Sequence, residues 1–286
     1  MANSSTFDTL IIEGGSLRCA FTAGVLDAFA AVDFMPFQTY YGISAGSMAL
    51  TAFMSGQRKH FIDLASQLVD DGHFISFYSA FSEEGIMNLN HLAKAVKNSA
   101  PIDWDSLQIN IEGKKMVIVA TDVETGAPHY LRPTVETWMD CVLASSTLPL
   151  ITRGKVKLNN RWFFDGGFSD ALPLQHALDG GSKNILVIRT RPSGMHIEQG
   201  TLEYVASYAF WGNQALTDLF EHGHHGYNKT VDRLRSGGDG EEVWCELAPL
   251  TPLRSEGYLV TSLDLKSDYR HGLEVAMDWL ASSHHQ

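Results

Sequence analysis

Cysteine is scarce in this chain: Cys19, Cys141 and Cys245 are odd in number, lie far apart and form no C-x-x-C pair. That spacing argues against a disulfide framework or a cysteine zinc site and makes reduced thiols the expectation. Positive charge is scarce as well, with 21 Lys and Arg against 33 Asp and Glu and a formal charge of -12. Nucleic acid needs a basic surface, so it is excluded as a partner, and strong attraction to anionic lipid headgroups is excluded with it. A neutral substrate is easier to accommodate. No run is long and apolar enough to span a bilayer, and residues 1–6 have neither the charged nor the apolar part of a signal peptide, so the expected location is cytoplasmic. Internal repeats are absent. Gly14-Gly15-Ser16-Leu17-Arg18-Cys19 matches neither a dinucleotide-binding G-x-G-x-x-G nor a P-loop.

What is present is enough apolar material, 44% of 286 residues, to bury a sizeable core. Short β-branched or apolar runs alternate with helical patterns. Strands are expected at 9–12, 37–41, 115–120, 161–164, 184–188 and 243–247. Helices are expected at 20–34, 45–54, 134–145, 199–235 and 269–281, and a flexible loop at 236–240. Residues 57–115 read as mostly helical or irregular, with an aromatic cluster at Phe74, Phe77, Tyr78 and Phe81 that is expected in the core. The aromatic stripe of Tyr204, Tyr208, Phe210, Trp211 and Phe220 reads as packing first and as a transient membrane-facing surface second. Arg153, Lys155, Lys157 and Arg161 read as a solvated basic face. The continuous apolar strands call for an α/β sheet covered on both faces.

One stretch carries chemistry. Gly42-Ile43-Ser44-Ala45-Gly46 spells the G-x-S-x-G of a nucleophile elbow, where a strand turns sharply into a helix and exposes the serine hydroxyl near the positive end of the helix dipole. Gly14 and Gly15 follow the first strand. They make either a tight turn or a pair of bare N–H groups for a developing oxyanion, on the same sheet edge as Ser44. Serine needs a base to take its proton. Among the twelve histidines only His196, in the loop after residue 188, is suitably placed for a Ser-His-Asp arrangement, yet the elbow comes too early for an ordinary α/β hydrolase. His222, His224 and His225 cluster without a carboxylate at zincin spacing, so no metal is expected. The remaining candidates are carboxylates at strand ends: Asp165 is better placed, because the aromatic run before it would desolvate the site and the two glycines after it permit close approach to Ser44, and Asp122 stays open as its rival on physical grounds.

The set Glu13-Gly14-Gly15-Ser16-Leu17-Arg18, Gly42-Ile43-Ser44-Ala45-Gly46, Ala144-Ser145-Ser146-Thr147-Leu148-Pro149 and Asp165-Gly166-Gly167, in this order, resembles the patatin-like phospholipase family over about residues 8–192. The resemblance implies a three-layer α/β/α fold with a mainly parallel central sheet. It also implies a patatin-like catalytic core over 1–195 and a helical and strand extension over 196–286 packed on that core. The function it implies is a serine acyl ester hydrolase acting on lipid or other acyl esters through a Ser44–Asp165 dyad, without a cofactor. Gly14 and Gly15, with Ser16, would form the oxyanion hole, and Arg18 would support that turn. Two positions depart from the family's glycine-rich turn, Ser16 and Cys19. A side chain at Ser16 costs on the order of 1 kcal/mol or more if φ there is positive. The alternatives are a Ser-His-Asp esterase or acyltransferase using His196, and a non-catalytic lipid-binding module.

Overall fold

The computed structural model describes residues 7–71, 100–152, 156–257 and 259–283. The expected aromatic cluster at Phe74, Phe77, Tyr78 and Phe81 lies outside the described residues, as do Arg153 and Lys155. Among the described residues nine strands join in one sheet: β1 (Thr9–Ile12), β2 (Thr39–Ile43), β3 (Lys115–Asp122), β4 (Pro128–Leu131), β5 (Val156–Leu158), β6 (Arg161–Asp165), β7 (Asn184–Ile188), β8 (Gly238–Asp239) and β9 (Glu242–Leu247). The central order β3-β2-β1-β7-β9 is parallel throughout.

Helices cover both faces. Described helices are α1 (Cys19–Ala31), α2 (Ala45–Met54), α3 (His60–Asp70), α4 (Trp104–Ile111), α5 (Trp138–Ser145), α6 (Gly167–Asp170), α7 (Leu174–Asp179), α8 (Thr201–Ala209), α9 (Gln214–Leu234) and α10 (Ser262–Ser283). Successive strand residues point to opposite faces. Thus Leu10, Ile12, Tyr40, Ile118 and Ile188 pack with α1, α2 and α10, while Ile11, Tyr41, Val117 and Val187 pack with α7 and α9. Fully burying such a side chain contributes about 1.5–3 kcal/mol. On the first face α1 and α10 cross closely, at Gly24 and Gly272, where a Cβ would strike the opposing backbone.

Several sequence expectations shift. The region 199–235 is two helices, because Asn213 accepts a hydrogen bond from Leu216 N–H and caps a new start. The expected loop at 236–240 is a tight hairpin: Gly237, Gly238 and Gly240 take positive φ and let β8 fold back on β9. The helix expected at 134–145 begins only at Trp138. β4 and β5, short and partly polar, gave no strand signal.

The sheet register positions the site. β2 pairs with Lys115 to Val119 of β3, β6 pairs with Ala120 to Asp122, and β4 holds the opposite edge. So β2 and β6 share one edge of β3, running in opposite directions. Ile43 opposes Val119 and Asp165 opposes Ala120, which is the next rung. Where the chain leaves β2, Asp165 arrives. On the other side of β2, Ile12 lies level with Gly42 and with Ile188, so the turn after β1 and the segment after β7 border the same point.

Candidate active site

Ser44 is the hinge between β2 and α2, with φ 52° and ψ -132°. A non-glycine residue there is strained and has to be held by its surroundings. Its N–H donates to Ser145 Oγ at 2.8 Å, and Ser145 Oγ donates to the Val119 carbonyl at 2.5 Å. Its carbonyl accepts from Ser47 N–H at 2.9 Å and from Ser47 Oγ at 2.5 Å. The glycines of the motif make room. A Cβ at Gly46 would sit 2.6 Å from the Glu13 carbonyl oxygen, and one at Gly42 would sit 2.8 Å from Ser47 Cα.

Ser44 Oγ donates to Asp165 Oδ2 at 2.5 Å. The other carboxylate oxygen accepts from Gly167 N–H at 2.7 Å, which fixes the orientation of the group. Its backbone is pinned too, Asp165 N–H to the Thr147 carbonyl at 2.8 Å and Thr121 Oγ1 to the Asp165 carbonyl at 2.7 Å. Asp165 is 5% exposed, and burial lifts its pKa from 3.8 to about 6, against the opposing pull of the Ser44 and Gly167 hydrogen bonds. A carboxylate poised near neutrality and touching a hydroxyl can accept its proton.

The structure separates the two carboxylates that the sequence left open. Asp122 accepts from Glu124 N–H, Thr125 N–H and Thr125 Oγ1 and pairs with Arg161 at 3.0 Å, so it organises the β3–β4 turn. Burial opposes its charge, but the hydrogen bonds outweigh burial and lower its pKa. His196 is exposed and bonds Asp232 at 2.8 Å, with no bond to Ser44. Among the described residues, no group of three or more His, Cys, Asp and Glu side chains is disposed to hold a metal.

Gly14 lies directly against the elbow: a Cβ on it would sit 2.9 Å from Ser44 Cβ. Among the described residues no acceptor takes the Gly14, Gly15 or Ser16 N–H groups. The Gly14 carbonyl accepts from Thr190 Oγ1 at 2.7 Å. The peptide is trans, so Gly15 N–H points opposite to Thr190. Gly15 has φ 147°, which only glycine adopts readily, and its missing side chain leaves space that Thr190 and Arg18 occupy. Ser16 takes φ 53°, the strained case. Cys19 is buried, its thiol directed at the Glu13 carbonyl at 3.7 Å and its pKa raised to about 12 by burial, so it packs rather than reacts. Arg18 forms no ion pair within 4.0 Å among the described residues, and its Nε is buried without a hydrogen bond.

Sequence reasoning missed the support behind this turn. Glu13, 2% exposed, accepts from Thr190 N–H at 2.6 Å and from Tyr227 Oη at 2.6 Å, and its Oε2 lies 3.4 Å from Arg189 Nε. Arg189 also reaches Glu246 at 2.9 Å and Tyr227 at 2.9 Å. Burial works against the Arg189 charge, but Glu13, Tyr227 and Glu246 outweigh it and raise its pKa. Ser145 and Thr147, read only as part of the family motif, are the second omission: Ser145 Oγ ties Ser44 to β3, and the Thr147 carbonyl ties Asp165 to the segment after α5. Their signal was a run of small polar residues closing a buried helix.

Two clefts meet at the pair. One is walled by Met48, Phe61, Leu64, Leu68, Ile102 and Val142 and includes His60. The other is the more polar of the two and is lined by the glycine turn, Arg18, Arg191, Glu203 and Tyr227. Ser44, Asp165, Ser16 and Leu148 line both. The aromatic stripe divides: Phe210 and Phe220 pack beneath α8 and α9, whereas Tyr204, Tyr208 and Trp211 are exposed. No described helix is long and apolar enough to cross a membrane.

Comparison with known proteins agrees with the motifs. The chain is 31% identical over 278 residues to the uncharacterized protein YjjU of Escherichia coli strain K12, spanning 96% of this chain and 77% of that one. Against the crystal structure of VipD from Legionella pneumophila it aligns with a TM-score of 0.47 at 10% identity, over 97% of this chain and 67% of that one. A family model for patatin-like phospholipase matches residues 10–178, more than half of the chain. On that match the chain belongs to the patatin-like phospholipase family and, at the level of the family, among the lipid acyl hydrolases.

Proposed function

We propose that this protein hydrolyses lipid acyl esters by a Ser44–Asp165 dyad. The observation that supports it most is the 2.5 Å hydrogen bond from Ser44 Oγ to the buried carboxylate, at the junction of an apolar and a polar cleft. Ser44 Oγ attacks the ester carbonyl carbon as its proton passes to Asp165. The carbonyl oxygen takes the negative charge and is met by Gly14 and Gly15 N–H, with Ser16 N–H as a third donor, each worth about 3 kcal/mol in comparable sites. Collapse breaks the bond to the leaving alcohol, which takes the proton from Asp165. Water then attacks the acyl enzyme, giving a proton to Asp165, which passes it to Ser44 Oγ as the acyl–oxygen bond breaks and the fatty acid leaves. Arg18 supports the glycine turn from the Gly15 side. The apolar cleft takes the acyl chain.

The segment 196–286 acts as an extension of the 1–195 core, supplying Tyr227 behind the glycine turn and an exposed aromatic face on α8 for transient contact with a lipid surface. Three unpaired cysteines favour a reducing compartment, the cytoplasm. Treatment with a fluorophosphonate followed by peptide mass mapping tests the nucleophile: an adduct on Ser44 is expected. A folded protein that takes no adduct would point instead to a non-catalytic lipid-binding module.

A further inference from the structure

We propose that Tyr227 and Glu13 are positioning residues for the oxyanion donors, so that α9 completes an active site which the family-matched segment 10–178 does not complete alone. The inference rests on the hydrolase reading above and adds to it the groups that set the orientation of the Gly14–Gly15 peptide.

The contacts run without a break from α9 to the turn. Thr190 Oγ1 donates to the Gly14 carbonyl at 2.7 Å and so fixes the peptide whose other end is the Gly15 N–H. That hydroxyl has a single proton and a second acceptor within reach, Glu13 Oε2 at 3.2 Å, which also takes the Thr190 N–H at 2.6 Å. An ionised carboxylate is the stronger acceptor of the two. The proton stays with Gly14 only while the Glu13 charge is satisfied from elsewhere. Arg189 Nε lies 3.4 Å from Oε2, and Tyr227 Oη donates to Oε1 at 2.6 Å, the one donor on that oxygen among the described residues. Burial and the Glu13 charge both raise the Tyr227 pKa, so its hydroxyl keeps the proton it donates. Tyr227 in turn accepts from Arg189 at 2.9 Å.

Stability alone does not account for this arrangement. Glu13 and Arg189 are buried, and a buried ion pair stabilises little over apolar side chains of the same size because both charges lose their hydration. What the cluster supplies is direction. Glu13 leaves the end of β1, Arg189 and Thr190 leave the end of β7, and Tyr227 stands on α9, so three elements converge behind one turn. Arg189, Thr190 and Tyr227 all lie beyond residue 178, where the family match ends, and the support is therefore a feature of this chain outside that segment.

Tyr227→Phe tests the assignment, because it keeps the ring, its 5.6 Å contact with the Arg189 guanidinium and the cleft wall, and removes the hydroxyl alone. Turnover of p-nitrophenyl octanoate is counted per Ser44 labelled to completion by a fluorophosphonate, so unfolded protein does not enter. On that count kcat should fall about tenfold while KM stays within about twofold. The effect should pass through Thr190: Tyr227→Phe with Thr190→Val should lose about tenfold, as Thr190→Val does alone, and not the roughly hundredfold loss of independent sites. Octylboronic acid reads the same donors without turnover. Ser44 Oγ adds to the trigonal boron as its proton passes to Asp165, and a boron-bound hydroxyl takes the place of the oxyanion, so affinity should weaken by the factor that kcat loses. Unchanged kcat and boronate affinity, a loss confined to KM, or a fully additive double variant would overturn the assignment and leave the dyad standing. A wild type that neither turns over the ester nor takes the boronate would overturn the hydrolase reading, and this inference with it.

Discussion

Replacing Asp165 by Asn should abolish turnover and at the same time stabilise the protein above neutral pH. The carboxyl is 5% exposed and its pKa stands at about 6 instead of 3.8. Between those values the folded chain retains a proton that the unfolded chain has released. Stability from this group is thus present below about pH 4 and lost as pH rises through about 6. A displacement of about 2 pH units, at roughly 1.4 kcal/mol each, is a cost of about 3 kcal/mol for the ionised form. Asparagine carries no such cost. Its amide oxygen can accept from Gly167 N–H and its amide nitrogen can donate to Ser44 Oγ, so the packing need not change. Part of the gain is offset by the weaker bond to Ser44, which leaves about 1–3 kcal/mol in favour of the variant at about pH 8 and almost nothing at about pH 3. Asp170, raised to about 6 by burial beneath Tyr130, adds the same slope to both proteins and cancels. Urea unfolding of both proteins at the two pH values reads the difference. A stability gap that does not change with pH, or a wild type more stable than the variant at the higher pH, would refute the buried charge.

Other perturbations follow from the same geometry. The kcat/KM for a p-nitrophenyl ester should rise with pH around a midpoint of about 6, because Asp165 acts as a base only when ionised; a profile flat between about pH 5 and about pH 8 would count against that role. Ser145→Ala orphans the buried Ser44 N–H and Val119 carbonyl, so unfolding free energy should fall by about 2–4 kcal/mol and turnover should fall with it. Thr190→Val removes the hydroxyl that fixes the Gly14–Gly15 peptide. It should lower kcat about tenfold with KM within about twofold, as expected for a group acting through the oxyanion donors.

The central strands were legible because they are short apolar runs with no polar face, and a sheet covered on both sides demands that composition. Ser44 was legible for a different reason, since the crowding at Gly42 and Gly46 forces those residue types into fixed spacing. Asp165 was favoured by the aromatic run before it and the glycines after it, but physical grounds alone did not exclude Asp122. Both end a strand, and only the register, with β6 taking over the β3 edge where β2 stops, brings one of them to Ser44. The Glu13–Arg189–Tyr227 cluster was hidden as well, because its members come from three elements and each reads alone as an ordinary polar residue. The φ of 53° at Ser16 follows from the turn's three-dimensional path, which neighbouring residue types do not encode.

Hydrolysis of p-nitrophenyl octanoate by wild type beside Ser44→Ala, Asp165→Asn and His196→Ala tests the dyad most directly. Ser44→Ala and Asp165→Asn should each lose about a thousandfold or more in kcat, while His196→Ala stays within about threefold. Turnover retained in Asp165→Asn, or lost in His196→Ala, would contradict a serine and aspartate pair working without histidine.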